Sequence, residues 1–63
     1  MNENFKKAKR IIIGQTKLMK EDNFDLDFIN DFNSNTIKSL SEKFNFSEEE
    51  ISKLKEIYKN LLL

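Results

Sequence analysis

The chain has 63 residues, 11 acidic and 11 basic, with one glycine and no cysteine, histidine, tryptophan or proline. That length allows one domain, near the lower limit for a core held by hydrophobic burial alone. The missing residue types exclude disulfides, thiolate metal sites and the commonest general base and nucleophile.

No apolar run approaches the roughly 18 residues of a membrane span, and Ile11–Ile13 is too short for a signal-peptide core. A soluble, cytoplasmic, single helical domain over 1–63 is expected. Charge is segregated along it. Residues 1–20 carry six basic side chains against Glu3, residues 21–50 carry nine acidic ones against Lys38 and Lys43, and the remainder is +2. Such asymmetry is satisfied internally, between copies, or by a charged partner.

In chain order, Phe5, Ala8, Ile12 and Met19 form a helical stripe flanked by Ile11 and Leu18, which predicts a first helix over 3–20. Lys6, Lys9, Arg10, Lys17 and Lys20 gather on another face with Ile13 among them, and with Lys7 they make this helix a second route to nucleic acid. Ile13 is either covered by Leu61–Leu63 or left as a partner contact. Gly14 lies on the back of this helix, where it costs about 1 kcal/mol relative to alanine; it marks a kink or the close approach of another backbone. This helix is expected to pack less tightly than a trihelical unit over 24–62.

Phe24, Phe28 and Phe32 recur every four residues, so a short second helix is expected over 24–32, capped by Asp22 or Asn23. Asn33, Ser34 and Asn35 read as a turn. A third helix follows over 36–44, burying Ile37, Leu40 and Phe44. Ser47 with Glu50 is a capping box, Phe46 and Ile51 occupy the positions of a hydrophobic staple, and Asn45 suits a left-handed helix end. The fourth helix, over 47–62, carries Ile51, Leu54, Tyr58 and Leu61. The fold expected is therefore all-α, a small orthogonal bundle of four helices with a helix-turn-helix-like corner. Its core is Phe5, Ile12, Phe28, Phe32, Ile37, Leu40, Phe44, Ile51, Leu54 and Tyr58.

Catalysis has little footing: the paired carboxylates sit at helix starts, where capping explains them. Asp31, Asn33, Asn35 and Glu42 have the spacing of calcium-loop ligands, but Thr36 stands where that loop needs glycine. No catalytic residue, metal site or cofactor is expected, and the chain reads as not an enzyme.

Ile37–Glu56 resembles the helix-turn-helix of small DNA-binding repressors, with Leu40 and Ser41 in the first helix, Asn45 for the turn glycine, and Phe46, Ser47, Ile51 and Leu54 in the second. The resemblance implies a transcriptional regulator whose Glu48, Glu49, Ser52, Lys53 and Glu56 enter the major groove. Carboxylates there oppose phosphate. The preferred expectation is therefore a non-catalytic regulatory or inhibitory protein that binds a partner protein through charged surfaces, with DNA binding as the alternative. The candidate contacts are an acidic patch of Asp25, Asp27, Asp31, Glu48 and Glu49 and a basic face of Lys6, Lys9, Arg10, Ile13 and Lys17. A homodimer through the C-terminal helix, using Leu61–Leu63, is a further expectation.

Overall fold

Three residues with short polar side chains start the helices, and two asparagines end the first two. The computed structural model describes residues 2–63, with helices α1 (Glu3–Glu21), α2 (Leu26–Phe44) and α3 (Glu48–Leu62). Asn2 Oδ1 accepts from the Asn4 N–H at 2.8 Å and Asp25 Oδ1 from the Asp27 N–H at 3.2 Å. Ser47 forms the full capping box: its hydroxyl accepts from the Glu50 N–H at 3.2 Å while its own N–H donates to Glu50 Oε1 at 2.9 Å. Asn23 and Asn45 take the left-handed conformation, at φ 60° and 57°, which asparagine tolerates better than any residue except glycine. These turns let the Phe24 N–H reach the Met19 carbonyl at 3.0 Å and the Phe46 N–H reach the Ser41 carbonyl at 3.2 Å, satisfying acceptors that the helix ends orphan.

The bundle has three helices where the sequence pattern predicts four, because Asn33, Ser34 and Asn35 lie inside α2 rather than in a turn. Asparagine and serine break helices when their side chains compete for the local backbone. Here two of the three are engaged elsewhere. The Asn33 Nδ2 donates to Thr16 Oγ1 at 2.9 Å, Gln15 Nε2 donates to Asn33 Oδ1 at 2.8 Å, and the Ser34 and Tyr58 hydroxyls meet at 3.2 Å. The start also differs, since Asp25 caps α2 and Asn23 serves the end of α1.

Continuity of α2 overturns part of the expected core. An unbroken helix can bury only one stripe, and the buried one runs through Ile29, Asn33, Ile37, Leu40 and Phe44. Rotating the helix by one residue, about 100°, would replace these with Phe28, Phe32, Thr36, Ser39 and Lys43. That exchange would bury a lysine and expel four large apolar side chains in return for two, each contributing roughly 1.5–3 kcal/mol when buried. Phe28 and Phe32 therefore stay outside, 51% and 44% exposed. Phe5, Ile12, Ile37, Leu54 and Tyr58 are buried as expected, joined by Ala8, Met19, Ile29 and Phe46, while Leu40, Phe44 and Ile51 are partly buried.

The arrangement is up-down-up rather than orthogonal. Residues 15 and 16 of α1 bond to 33 and 36 of α2, and the Phe5 and Phe46 rings meet edge to face at 6.0 Å near the other end, so α1 and α2 are antiparallel. Ser34 meets Tyr58 while Ser41 shares a cleft with Ile51, so α2 and α3 are antiparallel as well. A 19-residue helix is about 28 Å long, and the molecule measures 31 × 17 × 17 Å, so the helices lie along its long axis. The first helix packs fully, burying Phe5, Ala8, Ile12, Thr16 and Met19.

Gly14 faces open space: a Cβ added there meets nothing within 4 Å, and its φ is not positive. No neighbouring backbone approaches it. Gly14→Ala should therefore stabilise the fold by about 1 kcal/mol, measured by chemical denaturation; an unchanged or lower midpoint would contradict this. Asn33→Ala removes the partner of two side chains in the core and should cost roughly 2–3 kcal/mol, read in the same experiment. A loss below about 0.5 kcal/mol would mean that the network is dispensable.

Candidate functional site

The predicted basic face is brought together intact. Helical spacing places Lys6, Lys9, Arg10, Ile13 and Lys17 on one side of α1. The part of that side next to α3 forms a cleft wall. Lys9 and Lys17, two turns apart, stand on either side of Ile13, and the cleft is completed by Ile57, Asn60 and Leu61. Ile13 is half-buried there: the last helix covers it in part, and one edge stays open. An adjoining hollow extends past Lys9 to Lys53 and Glu56 over the edge of Phe5. At the far end the Lys20 ammonium donates to the Leu61 carbonyl, tying α1 to the last turn of α3. A cation there also suits the negative end of the helix dipole.

The predicted acidic patch is not brought together. Asp25, Asp27 and Asp31 occupy the start and first turns of α2, whereas Glu48 and Glu49 open α3, beyond the end of α2. Asp27 and Phe44 are about 25 Å apart along the helix. The physical reason is again the unbroken α2, which holds the two groups at opposite ends of the bundle. Asp31, Asn33, Asn35 and Glu42 likewise lie along one straight helix with Asn33 buried, so they cannot converge on an ion. No group of three or more acidic side chains among the described residues is arranged to hold a metal.

Apolar side chains also reach the surface in a pattern missing from the sequence reading. Gln15 bridges α1 to α2 through Asn33 and through Thr36 Oγ1 at 3.2 Å. On the outer side of that bridge, helical spacing places Ile11 and Leu18 of α1 and Phe28 and Phe32 of α2, all substantially exposed. The rings of Phe24 and Phe28 lie 5.4 Å apart and those of Phe28 and Phe32 6.1 Å apart, a ladder down one side of the helix. The four-residue recurrence of phenylalanine was the available signal; what hid its meaning was the phase of α2. At the chain end, Leu61 and Leu62 are half-buried and only Leu63 is fully open.

The charge asymmetry is not neutralised within the molecule. The ion pairs among the described residues are Lys6–Glu3 at 3.8 Å and Lys53–Glu49 at 3.7 Å, each within one helix and exposed, a class of pair that contributes little. Neither links basic α1 to acidic α2. No helix among the described residues is long and apolar enough to cross a membrane. No protein-family model, curated protein or solved structure gives a significant match to the chain.

Proposed function

We propose that the chain is a non-catalytic regulatory or inhibitory protein that works by occupying a surface of a partner protein, with the cleft between α1 and α3 as its contact. The observation that carries this reading is the cleft itself: Lys9 and Lys17 bracket a floor of Ile13, Ile57 and Leu61. Cations around an apolar floor fit an acidic, amphipathic segment, whose carboxylates meet the lysines while its apolar side chains cover the isoleucines.

DNA binding is the weaker reading. The antiparallel packing of α2 and α3 differs from the crossing of about 90–120° that lets a recognition helix project. The first turn of α3 carries Glu48, Glu49 and Glu50, which would face phosphate. The lysines of the cleft also lack exposed aromatic neighbours on which unpaired bases would stack, since Phe5 is buried.

The test pairs Lys9→Glu with Lys17→Glu in one variant. Both positions are exposed, so its circular dichroism and melting should match those of the parent. Proteins captured from extract of the native host by the parent should be lost by the variant, and neither should shift a random DNA duplex at micromolar concentration and low salt. Capture that survives the double charge reversal would remove the cleft as the contact, and a salt-sensitive shift lost in the variant would favour nucleic acid instead.

A further inference from the structure

Large apolar side chains left in solvent gather at one end of the bundle. Leu18, Phe24, Leu26, Phe28 and Phe32 are each between 44% and 63% exposed, and they lie on the last turns of α1, the α1–α2 turn and the first turns of α2. The Phe24, Phe28 and Phe32 rings form a ladder with rungs 5.4 and 6.1 Å apart. Helical rotation puts Phe28 and Phe32 on the side of α2 that faces away from α3, since Ser34 on the other flank meets Tyr58.

The charge around this ladder has one sign. Residues 21–37 hold Glu21, Asp22, Asp25, Asp27 and Asp31 and no lysine or arginine. The nearest cations are engaged elsewhere: Lys17 lines the α1/α3 cleft, Lys20 donates to the Leu61 carbonyl, and Lys38 lines the cleft between α2 and α3. Lys59 belongs to α3, on the far flank of α2. The ion pairs among the described residues, Lys6–Glu3 and Lys53–Glu49, involve none of the five carboxylates.

We infer that this end is a docking surface for a basic amphipathic helix of a partner protein, whose apolar side chains cover the phenylalanine ladder while its lysines and arginines meet the surrounding carboxylates. Rungs about 6 Å apart match the spacing of side chains at i and i+4 on a helix, so a second helix laid along the ladder brings one apolar side chain to each rung. Carboxylates repel phosphate, which disfavours nucleic acid and anionic membrane surfaces as occupants. A bound metal cation would neutralise charge but leave the rings in water, and no group of three acidic side chains among the described residues is arranged to hold one. Lysine and arginine do both tasks, because their alkyl stems lie on apolar surface while their heads sit over aromatic faces or beside carboxylates. The basic helix of a second, folded copy does not serve, because its apolar stripe of Phe5, Ala8, Ile12 and Met19 is buried in its own core.

This surface lies on the flank of α1 away from the α1/α3 cleft, Lys17 and Leu18 being successive residues about 100° apart. It stands independently of the function proposed for that cleft and selects a segment of the opposite charge.

The probe is a fluorescein-labelled synthetic helix with leucine at i and i+4 positions along one face and lysine and arginine elsewhere, compared with a scrambled peptide of the same composition. Fluorescence anisotropy with the full chain should give a micromolar dissociation constant, as for a small interface, that weakens at least several-fold when salt is raised tenfold. The scrambled peptide should bind at least about tenfold more weakly, and so should the helix to a Phe28→Ala, Phe32→Ala variant. That variant alters exposed positions and improves helix propensity, so its circular dichroism should match the parent's. Asp22→Lys with Asp31→Lys should weaken binding by a similar factor, whereas Lys9→Glu with Lys17→Glu in the cleft should not weaken it. Amide shifts of the parent should move at residues 18 and 24–32 rather than at 53–61. No anisotropy change up to about 500 µM chain, equal binding of the scrambled peptide, binding that survives the phenylalanine substitutions, or shifts centred on α3 overturn the proposal. So does a parent that associates on its own above 7.5 kDa and returns to monomer on the phenylalanine substitutions, which would make a second copy the occupant.

Discussion

Asn33 sits with no exposed surface in a core otherwise made almost wholly of apolar side chains, and much of the molecule follows from how it is satisfied. A primary amide buried without partners costs several kcal/mol relative to water. Thr16 and Gln15 of α1 supply those partners, and Thr16 in turn donates to the Ile12 carbonyl at 2.7 Å. Among the described residues no buried side-chain nitrogen or oxygen is left without a partner. Because the bonds are directional, they fix the register of α1 against α2 more tightly than interchangeable isoleucines would. They also fix which way α2 faces, since Asn33 must point at α1. The exposed phenylalanine ladder is a consequence of that phase, with part of the lost burial recovered by ring-on-ring packing along the helix.

Local chemistry made the ends of the helices legible. The Ser47–Glu50 box and the left-handed Asn45 are set by groups within a few residues of one another, so the letters carried the answer. The apolar stripe of α1 was legible for a related reason: its period is unbroken from Phe5 to Met19. Asn33–Asn35 was not, because the same three side chains either stop a helix or staple it to a neighbour, and the choice depends on Thr16, Gln15 and Tyr58, 17 to 24 positions away. Once that stretch was read as a turn, the segments on either side were free to take separate phases, and Phe28 and Phe32 could be assigned to the core. One long-range polar contact therefore governed both the number of helices and the identity of the surface.

The candidate site was legible to the extent that it lies on one element. The basic face is confined to α1, so periodicity alone assembled Lys6, Lys9, Arg10, Ile13 and Lys17; the contribution of Ile57, Asn60 and Leu61 needed the third helix in place. The acidic patch drew on two elements, and it came apart when α2 proved to be a single rod. With the basic and acidic segments unpaired internally, the charge segregation belongs to surfaces rather than to the core. This gives α1 two different flanks: a cationic cleft toward α3 and an exposed apolar face on the outer side of its contact with α2.

Amide hydrogen exchange through the middle of α2 tests most directly whether Asn33 makes it a single helix. The backbone N–H groups of residues 33–37 should exchange as slowly as those of residues 38–41, through global opening of the domain. Exchange at residues 33–36 that is orders of magnitude faster than on either side would mean a hinge at Asn33–Asn35, two independent helical segments, and a different explanation for the exposed phenylalanines.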